Sequence, residues 1–153
     1  MPEARPEPVE GPLVVSWNLT ARCNLACGHC YLDARQRLEP SERDLDTAGC
    51  LRIAAGIAAV NPECVLILTG GEPLLRPDLF EIARAAADLR LFVVLGTNGT
   101  LLTPERVLRA RDAGVRGFGL SLDSPSANGH DQARGLLGSW AGAMRGISNL
   151  RAE

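Results

Sequence analysis

Cys23-Asn24-Leu25-Ala26-Cys27-Gly28-His29-Cys30-Tyr31 follows closely on an apolar, strand-like run from Leu13 to Leu19. Its three cysteines are spaced C-x3-C-x2-C, so three thiolates can wrap one soft metal centre from a single loop. Three is one fewer than the four cysteines that normally close an iron-sulfur cubane, which leaves one iron open to an outside ligand. An open coordination position marks a catalytic centre, whereas a closed one marks a structural centre.

Outward from this loop the chain alternates strands and helices. Tyr31 to about Arg43 is a charged connection that would cover a bound metal. Cys50, Ile53, Ala54 and Ile57 recur at helical spacing, and Asn61-Pro62 stops that helix. Cys64 to Leu68 is a short apolar run of the kind buried on both faces of a parallel sheet, and it ends in Thr69-Gly70-Gly71-Glu72-Pro73. Pro77-Asp78 starts a second helix with Leu79, Ile82, Ala83 and Ala86 on one side. Leu91 to Leu95 is a third strand, ending in Gly96-Thr97-Asn98-Gly99. Thr103-Pro104 opens a helix and Gly114 closes it. Val115 to Leu122 is a fourth strand running into Asp123. A polar loop carries His130, Asp131, Arg134 and Gly135, and Ser139 caps a last helix with Trp140, Ala143, Met144, Ile147 and Leu150.

This is a βαβαβαβα order, which right-handed crossovers turn into a parallel sheet. The expected fold class is α/β, a partial TIM-like (βα) barrel of four units. In such barrels the loops after the strands gather at one mouth. The cysteines, GGEP, TNG and SLD each follow a strand, so they are expected to form one site. Two glycines let the main chain approach a ligand closely, and a carboxylate such as Glu72 accepts from an amino group. The other readings are a turn for GGEP, a turn for Asn98-Gly99, and a turn or cap for Asp123 before Ser124-Pro125. For Arg134 the alternative is an Asp131–Arg134 pair that secures the loop.

The string CNLACGHCY resembles the cluster loop of the radical S-adenosylmethionine (radical SAM) superfamily, with GGE, TNG, SLD and HD-x-x-RG following in that family's order. The resemblance runs from about Val14 to Leu150. It implies a [4Fe-4S] cluster on Cys23, Cys27 and Cys30 whose fourth iron takes S-adenosyl-L-methionine. By the same likeness, Gly70, Gly71 and Glu72 would engage the methionine ammonium, and Asn98 would face the SAM pocket. Ser121 and Asp123 would meet the ribose, Arg134 the carboxylate and His29 the adenine. The implied reaction is reductive cleavage of SAM to a 5'-deoxyadenosyl radical that abstracts hydrogen from a substrate. The branch resembled carries SPASM-type peptide maturases and haem-precursor-modifying enzymes. A haem precursor or peptide is therefore the implied substrate, and a flavodoxin- or ferredoxin-type protein the implied electron donor. The family barrel has six βα units, so residues 13–153 are expected to be a core domain truncated at its C-terminus.

Two rivals use the same residues. Cys27-Gly28-His29-Cys30 is also a CGHC dithiol, as in thioredoxin-like exchangers, but that motif has no use for Cys23 or the later glycine motifs. A zinc site would need a fourth ligand, and His29, Cys50 and Cys64 lie at no familiar paired spacing. Cys50 and Cys64 read as small buried apolar residues.

At 153 residues the chain has the size of one domain. A formal net charge of -2 gives no basic field for nucleic acid or an anionic membrane. The first 12 residues hold four of the ten prolines and three glutamates, the composition of a flexible leader without a secretory pattern. The expected compartment is the cytoplasm, where cysteines serve metals or catalysis more often than disulfides.

Overall fold

The computed structural model describes residues 11–34, 36–40 and 44–153. Residues 1–10 of the expected leader lie outside them. Four strands, β1 (Val14–Thr20), β2 (Val65–Gly70), β3 (Phe92–Thr97) and β4 (Gly117–Leu120), form one sheet in the order β1-β2-β3-β4. All three pairings are parallel. The connections are α1 (Thr47–Val60), α2 (Leu79–Asp88) and α3 (Pro104–Asp112), with α4 (Ala127–Arg134) and α5 (Ser139–Ala152) after the last strand. The partial α/β barrel expected from the sequence is the fold observed.

Strand alternation decides where the core sits. Leu66 and Leu68 of β2 stand in register with Val93 and Leu95 of β3, and all four are fully buried. They pack with Ala54, Ile82, Ala83, Val107 and Ala110 from the three crossover helices. Each of the Leu, Ile and Val side chains among them contributes roughly 1.5–3 kcal/mol by leaving water. Cys50 and Cys64 belong to this core at 0% exposure, as small apolar residues. Ile53 does not: it is 45% exposed, on the outer face of α1.

Helix ends follow local chemistry. Thr103 caps α3 by accepting from the Arg106 N–H, Pro104 fills the first turn, and Gly114 takes φ +83° past the end. At α2 the capping position is Asp78, but its carboxylate is taken by Arg76, which donates from Nε and Nη2 at 2.9 and 2.6 Å. The same guanidinium donates to the carbonyls of Leu19 and Leu45, so one buried Arg ties the end of β1 to the start of α2. The pairing holds the Asp78 carboxyl below the usual carboxylate range.

The stretch expected to be a polar loop is α4. Ser126 caps it by accepting from the Gly129 N–H, and Gly135 closes it at φ +65°. Only His130 of this helix is buried, so there was no apolar repeat to read. Ser139 is likewise not the cap of α5: Gly138 holds that position, and the Asp131 carboxylate accepts from the N–H groups of Gly138 and Trp140 and from Ser139 Oγ. Asp131 thus caps α5 and leaves the Asp131–Arg134 pair unformed. Among the described residues no helix is long and apolar enough to cross a membrane.

Candidate functional site

The strands deliver their C-terminal ends to one cavity of about 270 Å³. Cys23, Cys27 and Cys30 all line it, together with Gly70 and Gly71 from the end of β2. Asn98 and Ser121, from the ends of β3 and β4, line it too, as do His29 and Arg134. Glu72 and Asp123 do not.

The cysteine loop is held from several sides by its own backbone. Cys23 N–H donates to the Arg37 carbonyl at 2.8 Å, and Gln36 N–H donates to Leu25 at 2.9 Å. Ala26 and Gly28 donate to the carbonyls of Arg134 and Ala133 at the end of α4, at 3.2 and 3.1 Å. Those carbonyls are ones a helix end leaves without internal partners. Cys23 is buried at 7% exposure, and burial pushes its thiol above the usual range even though Sγ accepts from the Leu25 N–H. Cys27 and Cys30 are half-buried.

The diglycine turn is required first by protein packing. Gly70 sits at φ +125°, a conformation that L side chains rarely adopt. Gly71 N–H donates to the Thr20 carbonyl at 2.8 Å and Glu72 N–H to Arg22 at 2.6 Å, so the turn lies flat on the chain leading into the cysteine loop. A Cβ on Gly71 would overlap the Arg22 carbonyl. Gly71→Ala is expected to cost about 1–3 kcal/mol in chemical denaturation. Gly28→Ala, where a Cβ meets nothing, should stay within about 0.5 kcal/mol.

Glu72 is at 0% exposure and is not among the residues that line the cavity, although Thr97 and Asn98, which it bonds, are. Its carboxylate accepts from Thr97 Oγ1, Asn98 N–H and Leu74 N–H at 2.8–3.1 Å. It is a post joining the β2 turn to the β3 turn, and burial pushes its carboxyl upward against those hydrogen bonds. Asn98 is bonded in turn: Nδ2 donates to Asn24 Oδ1, and Oδ1 accepts from Thr100 N–H and Oγ1. Asn24 Nδ2 closes the ring on Thr100 Oγ1. The cysteine loop is thereby locked to the TNG turn, against which α5 lays Gly142, Ala143 and Gly146. Sequence reasoning missed Asn24, Thr97 and Thr100. Only the tripeptide context of TNG signalled Thr97, and nothing signalled the other two.

Asp123 is drawn to Arg134: the Arg Nε lies 2.6 Å from Oδ2, and Nη2 donates to Oδ1 at 3.0 Å. His29 Nε2 stands 3.9 Å from the same carboxylate. His130 is buried and structural, its Nδ1 accepting from the Asp123 N–H at 3.2 Å.

Among the described residues no group of three or more His, Cys, Asp or Glu side chains stands close enough to hold a single metal ion. A cubane asks for something else, since each cysteine takes a different iron and the sulfurs spread around the cluster. Three cysteines on the walls of one cavity fit that demand.

A sequence model of the Radical SAM superfamily matches residues 17–153. An AdoMet-dependent heme synthase from Methanosarcina barkeri (strain Fusaro / DSM 804) is 44% identical over 140 residues, covering 92% of this chain and 39% of the relative. A pre-heme d1 synthase from Dinoroseobacter shibae (strain DSM 16493 / NCIMB 14021 / DFL 12) is 36% identical, covering 90% and 33%. Mycofactocin maturase MftC from Mycobacterium tuberculosis (strain ATCC 25618 / H37Rv) is 35% identical, covering 94% and 36%. The chain thus spans under two-fifths of the length of these relatives. Among solved structures, native anSMEcpe with bound AdoMet superposes with a TM-score of 0.69 at 21% identity over 91% of this chain and 40% of that one, which shows a shared fold. A family match that begins inside β1 and runs through α5, with a relative 44% identical across nine-tenths of the chain, shows that this chain belongs to the radical SAM superfamily.

Proposed function

We propose that this site holds a [4Fe-4S] cluster on Cys23, Cys27 and Cys30 and binds S-adenosylmethionine at the iron they leave open. The observation that carries this reading is that the three cysteines share one cavity with the Gly70-Gly71 turn and with the ends of β3 and β4. When both groups are bound, the chemistry supplied is one-electron cleavage of the SAM C–S bond, which delivers a hydrogen-abstracting radical to a substrate.

The chain's own residues bind, orient and exclude water. Gly70 and Gly71 present main chain to the methionine end of SAM, with Glu72 serving from behind the wall by fixing their turn against Thr97 and Asn98. Asn98 and Ser121 meet the cofactor from two strand ends. Arg134 keeps N–H groups beyond those aimed at Asp123 and Cys27 and offers them to the SAM carboxylate, while Asp123 acts through Arg134. His29 borders the adenine. A haem precursor is the favoured substrate class, because the relatives named as heme synthases reach 40–44% identity and the maturases 35%. A peptide is the second reading. A flavodoxin- or ferredoxin-type protein supplies the electron, and a reducing cytoplasm suits the exposed cluster.

Anaerobic reconstitution tests the reading. The expected result is about four irons and four sulfides per chain, with 5'-deoxyadenosine formed from SAM under reduction. Stoichiometric zinc, or disulfide reductase activity that survives Cys23→Ala, would instead make the site a thiol or zinc module built on Cys27 and Cys30.

A further inference from the structure

We propose that Arg134 is a positioning residue that tunes the cluster by donating a hydrogen bond to the Cys27 sulfur. The inference rests on the cluster reading above. Arg134 Nη1 lies 3.7 Å from Cys27 Sγ, within hydrogen-bond range for sulfur. What makes this contact more than a passing one is how heavily the guanidinium is constrained.

On its far side the guanidinium is ion-paired with Asp123, Nη2 donating to Oδ1 at 3.0 Å while Nε lies 2.6 Å from Oδ2 without a hydrogen bond of its own. A planar fork held along one edge can turn only its remaining N–H groups toward the loop. Asp123 is itself fixed by His130, 1% exposed, whose Nδ1 accepts from the Asp123 N–H. The backbone is constrained as well. The residues on either side of Cys27, Ala26 and Gly28, donate their N–H groups to the Arg134 and Ala133 carbonyls. Gly135 passes so close to Ala26 that a Cβ there would overlap the Ala26 carbonyl. Cys27 is therefore bracketed by α4 on both flanks, and the one side chain reaching its sulfur from α4 is Arg134.

A donor aimed at a ligating thiolate withdraws charge from the sulfur and so favours the reduced, more negative cluster. Asp123 offsets the guanidinium's full charge, which leaves a directed N–H as the main influence. Arg134 thus raises the potential at which the cluster accepts its electron.

The test is an EPR-monitored redox titration of the reconstituted chain without SAM, comparing wild type with Arg134→Met and Arg134→Gln, neither of which reaches Cys27 with a donor. At a fixed potential, the reduced-to-oxidised ratio in both variants is expected to fall about tenfold, equivalent to 59 mV for one electron. A loaded variant with the wild-type potential overturns the inference and leaves the cluster reading standing. Failure of both variants to load, while wild type loads, places Arg134 in assembly of the site and also overturns it. Failure of wild type to load iron and sulfide is the separate result that removes the cluster reading itself.

Discussion

Alanine in place of Cys23, Cys27 or Cys30 is expected to take the reconstituted iron content from about four per chain to near zero. SAM cleavage should fall below detection in each variant. The three losses should be equal in kind, because each sulfur holds a different iron and a cubane on a three-cysteine loop cannot spare one of them. Cys50 and Cys64 supply the internal comparison. Both lie at 0% exposure inside the apolar core, away from the cavity. Cys50→Ala and Cys64→Ala should keep the cluster and lose only about 1 kcal/mol of stability. Iron and sulfide analysis beside urea denaturation separates the two groups. Retention of a full metal complement by Cys23→Ala would sink the cubane and favour the dithiol of Cys27 and Cys30.

The second large effect is expected at Glu72. Glu72→Ala removes the acceptor shared by Thr97, Asn98 and Leu74, leaves those donors buried without partners and opens a cavity. The expected loss is about 3–5 kcal/mol, a large fraction of the stability of a domain this size. Glu72→Gln keeps the volume but turns an amide NH2 toward backbone N–H groups, for about 1–3 kcal/mol.

The pH dependence follows from the direction of the shift. Burial raises the Glu72 carboxyl above its ordinary value, so the folded chain holds that proton more tightly than the unfolded chain. Its contribution is full below the unfolded carboxylate pKa, about 4.3, and is lost as pH rises through the higher folded value. Urea denaturation should therefore show a wider gap between wild type and Glu72→Gln near pH 4.5 than near pH 7.5. A gap that widens with pH would mean that the three donors hold the group as an anion and that burial does not win.

Much of this arrangement was legible because periodicity reports which face of an element leaves water. The apolar runs from Cys64 to Leu68 and from Leu91 to Leu95 announced strands of a parallel sheet, and Thr103-Pro104 with Gly114 bounded α3 by local chemistry alone. α4 escaped notice for the same reason in reverse. Its residues are polar, only His130 is buried, and its place is set by the cysteine loop that its carbonyls receive. Charge and spacing marked Glu72 as part of the site; they say nothing of the hydrogen bonds it takes from Thr97, Asn98 and Leu74.

The sequence by itself determined the order of four βα units and the presence of three thiolates on the first strand's loop, since both are written in neighbours a few residues apart. Only the tertiary structure decided that Glu72 faces Thr97, that Asn24 closes a ring with Asn98 and Thr100, and that Arg134 stands between Asp123 and Cys27. Those pairings span 11 to 107 residues of chain. A hydrogen bond over such a separation depends on where the packed sheet carries each donor, and no local spacing encodes that distance.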